Sequence, residues 1–286
     1  MQTIFVPLDF SQNSLLALRH AIELAKESDA KIIIFHSYQP PQMGGGSFTG
    51  RKKLSELGKQ EAEDNMYKVV MQTKEEHPNL DFEHLVVDGD PLQRVRYYSE
   101  SYNADLIVMG TKGASGLTEV FLGSVAAKVI SDASCPVVIV PEGSQEGTYE
   151  RIVYGVSMLP EDEEVLDYLQ GLASNFKASL EGIHVEKDAE TSAWFDEFKA
   201  SYDKKIAKKK LSENQFVNFQ KLPLAPNQKV EDTLIEYINT NPLTLFVMLR
   251  RNRRNFWERI FGTSITKQMA FHANSPLLIM KAGNAG

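Results

Sequence analysis

Three short runs, TIFVPL (3–8), DLIVM (105–109) and PVVIVP (136–141), are, after Thr3 and Asp105 at the start of the first two, apolar at consecutive positions rather than at alternate ones. A strand with one face in water alternates apolar and polar residues, so a strand that is apolar throughout must be covered on both faces. The segments between such runs have a helical period. After Ser11, a good N-cap residue, Leu15, Leu18, Ile22 and Ala25 fall along one helix face. Apolar strands joined by helical crossovers imply a parallel sheet with helices on both sides.

Continued along the chain, this reading gives strands at KIIIFHS (31–37), FEHLVVD (82–88) and DLIVMG (105–110), with helices at 52–76 and 91–102. QPPQMGGGSFTG (39–50) reads as a loop. A helix running to about Ala133 precedes the last strand, PVVIVP. After the linker EGSQEGTYE (142–150) the plan starts again: RIVYGVS (151–157) stands for the first strand, and ASLEGIHVE (178–186) matches KIIIFHS, histidine included. SITKQMAFHANSPLLIM (264–280) lies over SVAAKVISDASCPVVIV (124–140) without a gap at an offset of 140, so Pro276 falls on Pro136. The predicted fold is α/β, with two tandem open parallel five-stranded sheets and helices on both faces, in domains 1–144 and 149–286. Two domains of that size suit a 286-residue chain.

Composition narrows the function classes. A formal charge of -7 argues against nucleic-acid binding by the whole protein. One cysteine, Cys135, leaves no intramolecular disulfide and no metal cluster. The N-terminal segment has no basic n-region or long apolar core, and no run approaches the roughly 18 apolar residues of a membrane span. The expectation is a cytoplasmic protein with no membrane contact.

GTKGASGLTEVFLGS (110–124) joins a strand to a helix with four glycines. In an open parallel sheet, ligands sit beyond the carboxyl ends of the strands where strand order reverses, and this loop lies on that edge. Glycine lets backbone N–H groups approach phosphate oxygens, and the next helix adds free donors and a positive dipole end. Gly110, Gly113, Gly123 and Ser124 therefore form a candidate anion cradle. The Walker pattern GxxxxGK[ST] and the dinucleotide pattern GxGxxG are both missing; the spacing is G-x2-G-x9-G-S.

That spacing resembles the universal stress protein family in its tandem two-domain form. In the ATP-binding branch, G-x2-G-x9-G-[ST] after the fourth strand wraps the phosphates, and Gly110, Gly113, Gly123 and Ser124 match it. VPLDFS supplies the typical first-strand ending, with Pro7, Asp9 and Ser11. The resemblance implies that Asp9 faces the adenosine part of the ligand and that the backbone at His36-Ser37 contacts adenine. The implied binding set is Pro7, Asp9, Ser37, Met109, Gly110, Gly113, Gly123, Ser124 and Val125, for ATP with or without Mg2+. No catalytic or metal-ligating residue is assigned. Read from the residues alone, Asp9 also suits a turn, Met109 and Cys135 suit the core, and His36 suits a packed strand end. Lysines 204, 205, 208, 209 and 210 suit a solvated helix face.

The second half lacks the cradle. At the offset of 140, Gly110 falls on Arg250, Gly113 on Arg253 and Gly123 on Thr263. Alignment of the first strands, IFVPLD with IVYGVS, puts Ser157 in the place of Asp9. Arg250, Arg251, Arg253 and Arg254 either pair with carboxylates, face solvent or hold an anion. The resulting expectation is an ATP-binding universal stress protein in a regulatory or stress-response role, with one nucleotide site in the first domain. Resemblance further implies pairing of the domains through their last strands, homodimerisation and a regulatory protein partner. The alternatives are a slow ATPase and a nucleotide-independent interaction module.

Overall fold

A computed structural model describes residues 1–39, 48–111, 123–207, 216–240, 243–250 and 274–281. The chain forms two compact units, Met1–Val137 and Val138–Gly286.

In the first unit the order is β1 (Thr3–Pro7), α1 (Gln12–Lys26), β2 (Lys31–Tyr38), α2 (Phe48–Glu76), β3 (Phe82–Asp88), α3 (Pro91–Ser101), β4 (Leu106–Gly110) and α4 (Ser124–Asp132), with β5 (Val137–Val140) beginning at its end. Strand order is β3-β2-β1-β4-β5. The pairs β1–β2, β2–β3 and β1–β4 are parallel, with Phe5 level with both Ile33 and Ile107. β4 and β5 are buried at every position, and β1 at its three central ones. Consecutive burial means cover on both faces, as their uninterrupted apolar sequences require.

In the second unit the elements are β6 (Arg151–Gly155), α5 (Pro160–Phe176), β7 (Ser179–Glu186), α6 (Ala189–Ile206), β8 (Val217–Pro223), α7 (Val230–Asn239), β9 (Thr244–Arg250) and β10 (Leu277–Lys281). Their order is β8-β7-β6-β9-β10, with parallel pairing between neighbours. It is the strand order of the first unit. The helix predicted before β10 and the segment FWERIF lie outside the described residues.

Two local expectations need correction. Residues 48–50, read as loop, begin α2. A glycine inside a helix costs only about 1 kcal/mol, and burial of Ala62, Met66 and Val70 further along α2 offsets that. Lys205 is not a freely solvated side chain, because its ammonium reaches Glu163 at 3.1 Å and Asp167 at 3.3 Å.

Candidate functional site

Strand order reverses at β1, with β2 and β3 on one side of it and β4 and β5 on the other. β1 and β4 are therefore neighbours whose connections run to opposite sides. Their carboxyl ends open onto a cavity of about 220 Å³. Pro7, Leu8 and Asp9 line it from the end of β1, and Met109, Gly110 and Thr111 from the end of β4. Gly123, Ser124, Val125 and Ala126 close it at the start of α4. Of the nine predicted residues, the cavity gathers eight; Gly113 lies outside the described residues, as does Lys112.

The β1–α1 turn is held by a short hydrogen-bond chain. Asp9 Oδ1 accepts from the Ser11 amide at 3.0 Å and from the Ser11 hydroxyl at 2.6 Å. Ser11 Oγ in turn accepts from the Ser14 amide at 3.2 Å, which makes it the N-cap of α1. Between them Phe10 takes a left-handed conformation with φ 62°, uncommon for a bulky side chain. Its ring packs on His36 with centroids 4.5 Å apart. Asp9 is therefore a turn residue and a cavity-lining residue at once.

His36 does not line the cavity. Its Nδ1 lies 2.7 Å from the Leu8 carbonyl, tying the ends of β1 and β2 together. Burial lowers its pKa, against opposing contributions from the Leu8 carbonyl and Asp9, so the neutral ring donating from Nδ1 is favoured. Ser37 is fixed by a 2.8 Å bond from its hydroxyl to the Gly89 carbonyl, which leaves its side chain committed.

The two described glycines of the loop have different physical reasons. A Cβ on Gly110 would stand 2.5 Å from Oδ1 of Asn13, so α1 occupies the space a side chain would need. The Gly123 amide donates to the Thr111 carbonyl at 2.8 Å, pinching the two ends of the 112–122 segment together. Gly123 is also the N-cap of α4 and has no side chain with which to cap it. The first intrahelical bond runs from Ala127 to Gly123. The helix itself therefore offers no acceptor to the amides of Ser124, Val125 and Ala126, all of which border the cavity. Donors and a positive dipole end at a cavity wall suit an anion.

Sequence reasoning missed the apolar side of the cavity, formed by Leu8, Phe35, Pro91 and Val95. The signal for α3 was present in Asp90-Pro91, where Asp90 caps the helix through the Gln93 amide at 3.0 Å. Nothing local ties that cap to the end of β1. Among the described lining residues Asp9 is the one ionisable side chain, and among the described residues no group of three metal-ligating side chains exists.

The equivalent turn of the second unit is built differently. The Asp9 amide lies 3.4 Å from Ser14 Oγ, five residues on. In the second unit the Ser157 amide donates to Asp162 Oδ2 at 2.8 Å, again five residues on. Asp162 also accepts from Tyr154 OH at 2.7 Å and from the Leu159 amide at 3.1 Å, and it is fully buried. Burial raises its pKa while these donors oppose the rise. Asp162 thus stands where Ser14 stands in the first unit, a buried carboxylate that accepts from the Leu159 amide at the start of α5, while Ser157 stands where Asp9 does. Met158 repeats the left-handed turn with φ 60°, and His184 Nδ1 faces the Val156 carbonyl at 3.4 Å as His36 faces Leu8. Of the arginine cluster, the backbone of Arg250 ends β9, and the other three lie outside the described residues.

The universal stress protein family model matches residues 1–141. Universal stress protein MJ0531 of Methanocaldococcus jannaschii is 38% identical over 144 residues, covering 50% of this chain and 84% of that protein. The chain belongs to the universal stress protein family. Universal stress protein YxiE of Bacillus subtilis is 31% identical over 144 residues, which are 48% of this chain and 97% of YxiE. A crystal structure of a universal stress protein from Archaeoglobus fulgidus covers 99% of this chain and 97% of its own, with a TM-score of 0.73. At 19% identity that likeness concerns the universal stress protein fold. Among the described residues, no helix is long and apolar enough to cross a membrane.

Proposed function

We propose that the first unit binds one adenine nucleotide, ATP, as a regulatory ligand in a stress-response protein. The observation that carries this reading is the convergence of the ends of β1 and β4 and the uncapped start of α4 on one cavity, with the spaced glycine motif of the family running between them. The apolar wall from Phe35, Pro91 and Val95 suits a base, and the α4 amides suit phosphate oxygens. A volume of about 220 Å³ is less than the ~300–1,000 Å³ that encloses a drug-sized ligand. In this reading the cavity takes part of the nucleotide. Mg2+, where it accompanies the nucleotide, would share the phosphate charge.

Chemistry on the nucleotide has little support. A hydrolase needs a group to activate water or to stabilise the transferring phosphoryl. Asp9, the one ionisable side chain among the described lining residues, already holds the Ser11 hydroxyl. The second unit, in which Ser157 stands in the place of Asp9 and the turn amide is held by the buried Asp162, acts in this reading as a structural repeat of the first. A cytoplasmic setting and a regulatory protein partner belong to the same reading.

Equilibrium titration of the purified chain with ATP, ADP, AMP and cyclic AMP tests it. Saturable ATP binding at about one site per chain is expected. Failure of every nucleotide to bind would favour a nucleotide-independent interaction module, and multiple-turnover release of phosphate would favour the slow ATPase.

A further inference from the structure

Helix α2 buries one face and leaves the opposite face exposed, where the polar contacts among the described residues are within the helix: Lys52 with Glu56, Gln60 to Asp64 and Gln72 to Glu76. Ala62, Met66, Val70 and Thr73 are buried and recur at helical spacing. On the far side Leu57, Tyr67 and Met71 are 57%, 62% and 49% exposed, large values for apolar side chains on an otherwise polar helix. Leu57 and Met71 are fourteen residues apart, two heptads, and therefore share one stripe with Lys53, Asp64 and Glu75.

Three pairs of positions on this face are complementary about Asp64, whereas Gln60 with Lys68 and Glu61 with Tyr67 are not. Leu57 lies seven residues before it and Met71 seven after; Lys53 lies eleven before and Glu75 eleven after; Lys52 and Glu76 are each twelve away. All of these positions are exposed. Laid antiparallel on a second copy of itself, the helix sets Leu57 against the second copy's Met71, Lys53 against its Glu75 and Lys52 against its Glu76. Each contact occurs twice by symmetry, which is the self-complementarity of an isologous interface. The one like-charge contact is Asp64 with its own copy on the axis.

We infer that α2 is a self-association surface, through which two copies of this chain pair antiparallel across a two-fold axis at Asp64. The apolar pairs supply the contact and the terminal charges set its direction. This inference stands independently of nucleotide binding. Residues 52–76 span about 37 Å as a helix, and one helix pair of that length buries an area at the low end of specific interfaces. The dimer is accordingly weak and concentration dependent.

Sedimentation velocity of the full chain from about 1 to 500 μM, a range set to bracket that weak interface, is the test, with thermal unfolding as a control for folding. Leu57→Glu and Met71→Glu are expected to weaken the dimer at least tenfold without changing the unfolding midpoint. Lys53→Glu and Glu75→Lys each turn two attractions into two repulsions, with an expected loss of roughly tenfold apiece. The double variant Lys53→Glu/Glu75→Lys restores opposite charges and returns the dissociation constant to within about threefold of the parent. Asp64→Asn removes the repulsion on the axis and tightens the dimer. A chain that stays monomeric to the highest concentration overturns the inference, as does a dimer indifferent to Leu57 and Met71. A dimer that responds to those two but not to the charge reversals overturns the antiparallel register.

Discussion

A side chain at Gly110 would put its Cβ 2.5 Å from Oδ1 of Asn13, 2.8 Å from its Cγ and 3.0 Å from its backbone oxygen. Asn13 is buried on α1 and accepts from the Thr111 hydroxyl at 3.3 Å. The first glycine of the motif is thus demanded by packing of α1 against the end of β4. Gly110→Ala is expected to destabilise the protein by about 1–3 kcal/mol, read as a lower urea midpoint at unchanged slope. Adding Asn13→Ala removes the nearest two atoms, so the double variant should lose less than the sum of the single losses. Strict additivity would show that the two residues do not meet.

The amide of Ser124 is a different matter, because it is the first helical position of α4 and borders the cavity. Proline is well accepted there, and Gly123 before it has φ -50° and ψ 142°, a conformation proline tolerates in its predecessor. Pro91 and Pro160 already open α3 and α5 in this chain. Ser124→Pro deletes the amide donor together with the side-chain hydroxyl and keeps the helix; Ser124→Ala, which deletes the hydroxyl alone, isolates the amide's share. ATP affinity should fall roughly tenfold or more, the value of a hydrogen bond to a charged group, while the unfolding midpoint stays put. Unchanged affinity would remove the α4 amides from the phosphate site.

Asp9 has two duties that substitution can separate. Asparagine keeps an acceptor for the Ser11 amide and hydroxyl but loses the charge, whereas alanine loses both. Asp9→Ala should cost about 1 kcal/mol of stability through the turn, and Asp9→Asn much less. If Asp9 faces the adenosine part of the ligand, both variants bind ATP more weakly in an equilibrium titration. Weakened folding with intact affinity would make Asp9 a turn residue alone.

The acid limb of stability should carry the signature of His20. Burial, with Arg19 beside it, lowers the pKa of this α1 histidine to about 4, against a smaller opposing pull from Glu23. The unfolded chain, titrating near the ordinary value of 6.5, takes up a proton that the folded ring resists. Stability present above pH 6.5 is therefore lost as the pH falls toward 4, by up to about 3 kcal/mol. Urea unfolding from pH 7 to 4.5 should show this slope, and His20→Leu should flatten it. An equally steep slope in the variant would assign the loss to carboxylates.

Where burial dictates a residue's chemistry, the chain could be read directly. LIVM (106–109) and VVIV (137–140) are apolar throughout and became fully buried strands, and the alternation of strands with helices implied parallel pairing. The candidate site was legible where local spacing met the general rule about carboxyl ends, which is why Asp9, Gly123 and Ser124 meet at one cavity. What stayed hidden depends on long-range packing. No pattern near Gly110 announces Asn13, nearly a hundred residues earlier, and none near Val95 announces the end of β1. The rebuilding of the turn in the second unit was half visible. Ser157 was seen to lack the carboxylate, but only the fold brings Asp162 back to the Ser157 amide from inside α5.

The central claim, one nucleotide held in the first unit, is tested most directly by mass spectrometry of the protein purified without added nucleotide, with released small molecules identified and counted per chain. About one adenine nucleotide per chain is the expected result, reduced sharply in Ser124→Pro. Ligand-free protein that also fails to take up ATP on titration would contradict it.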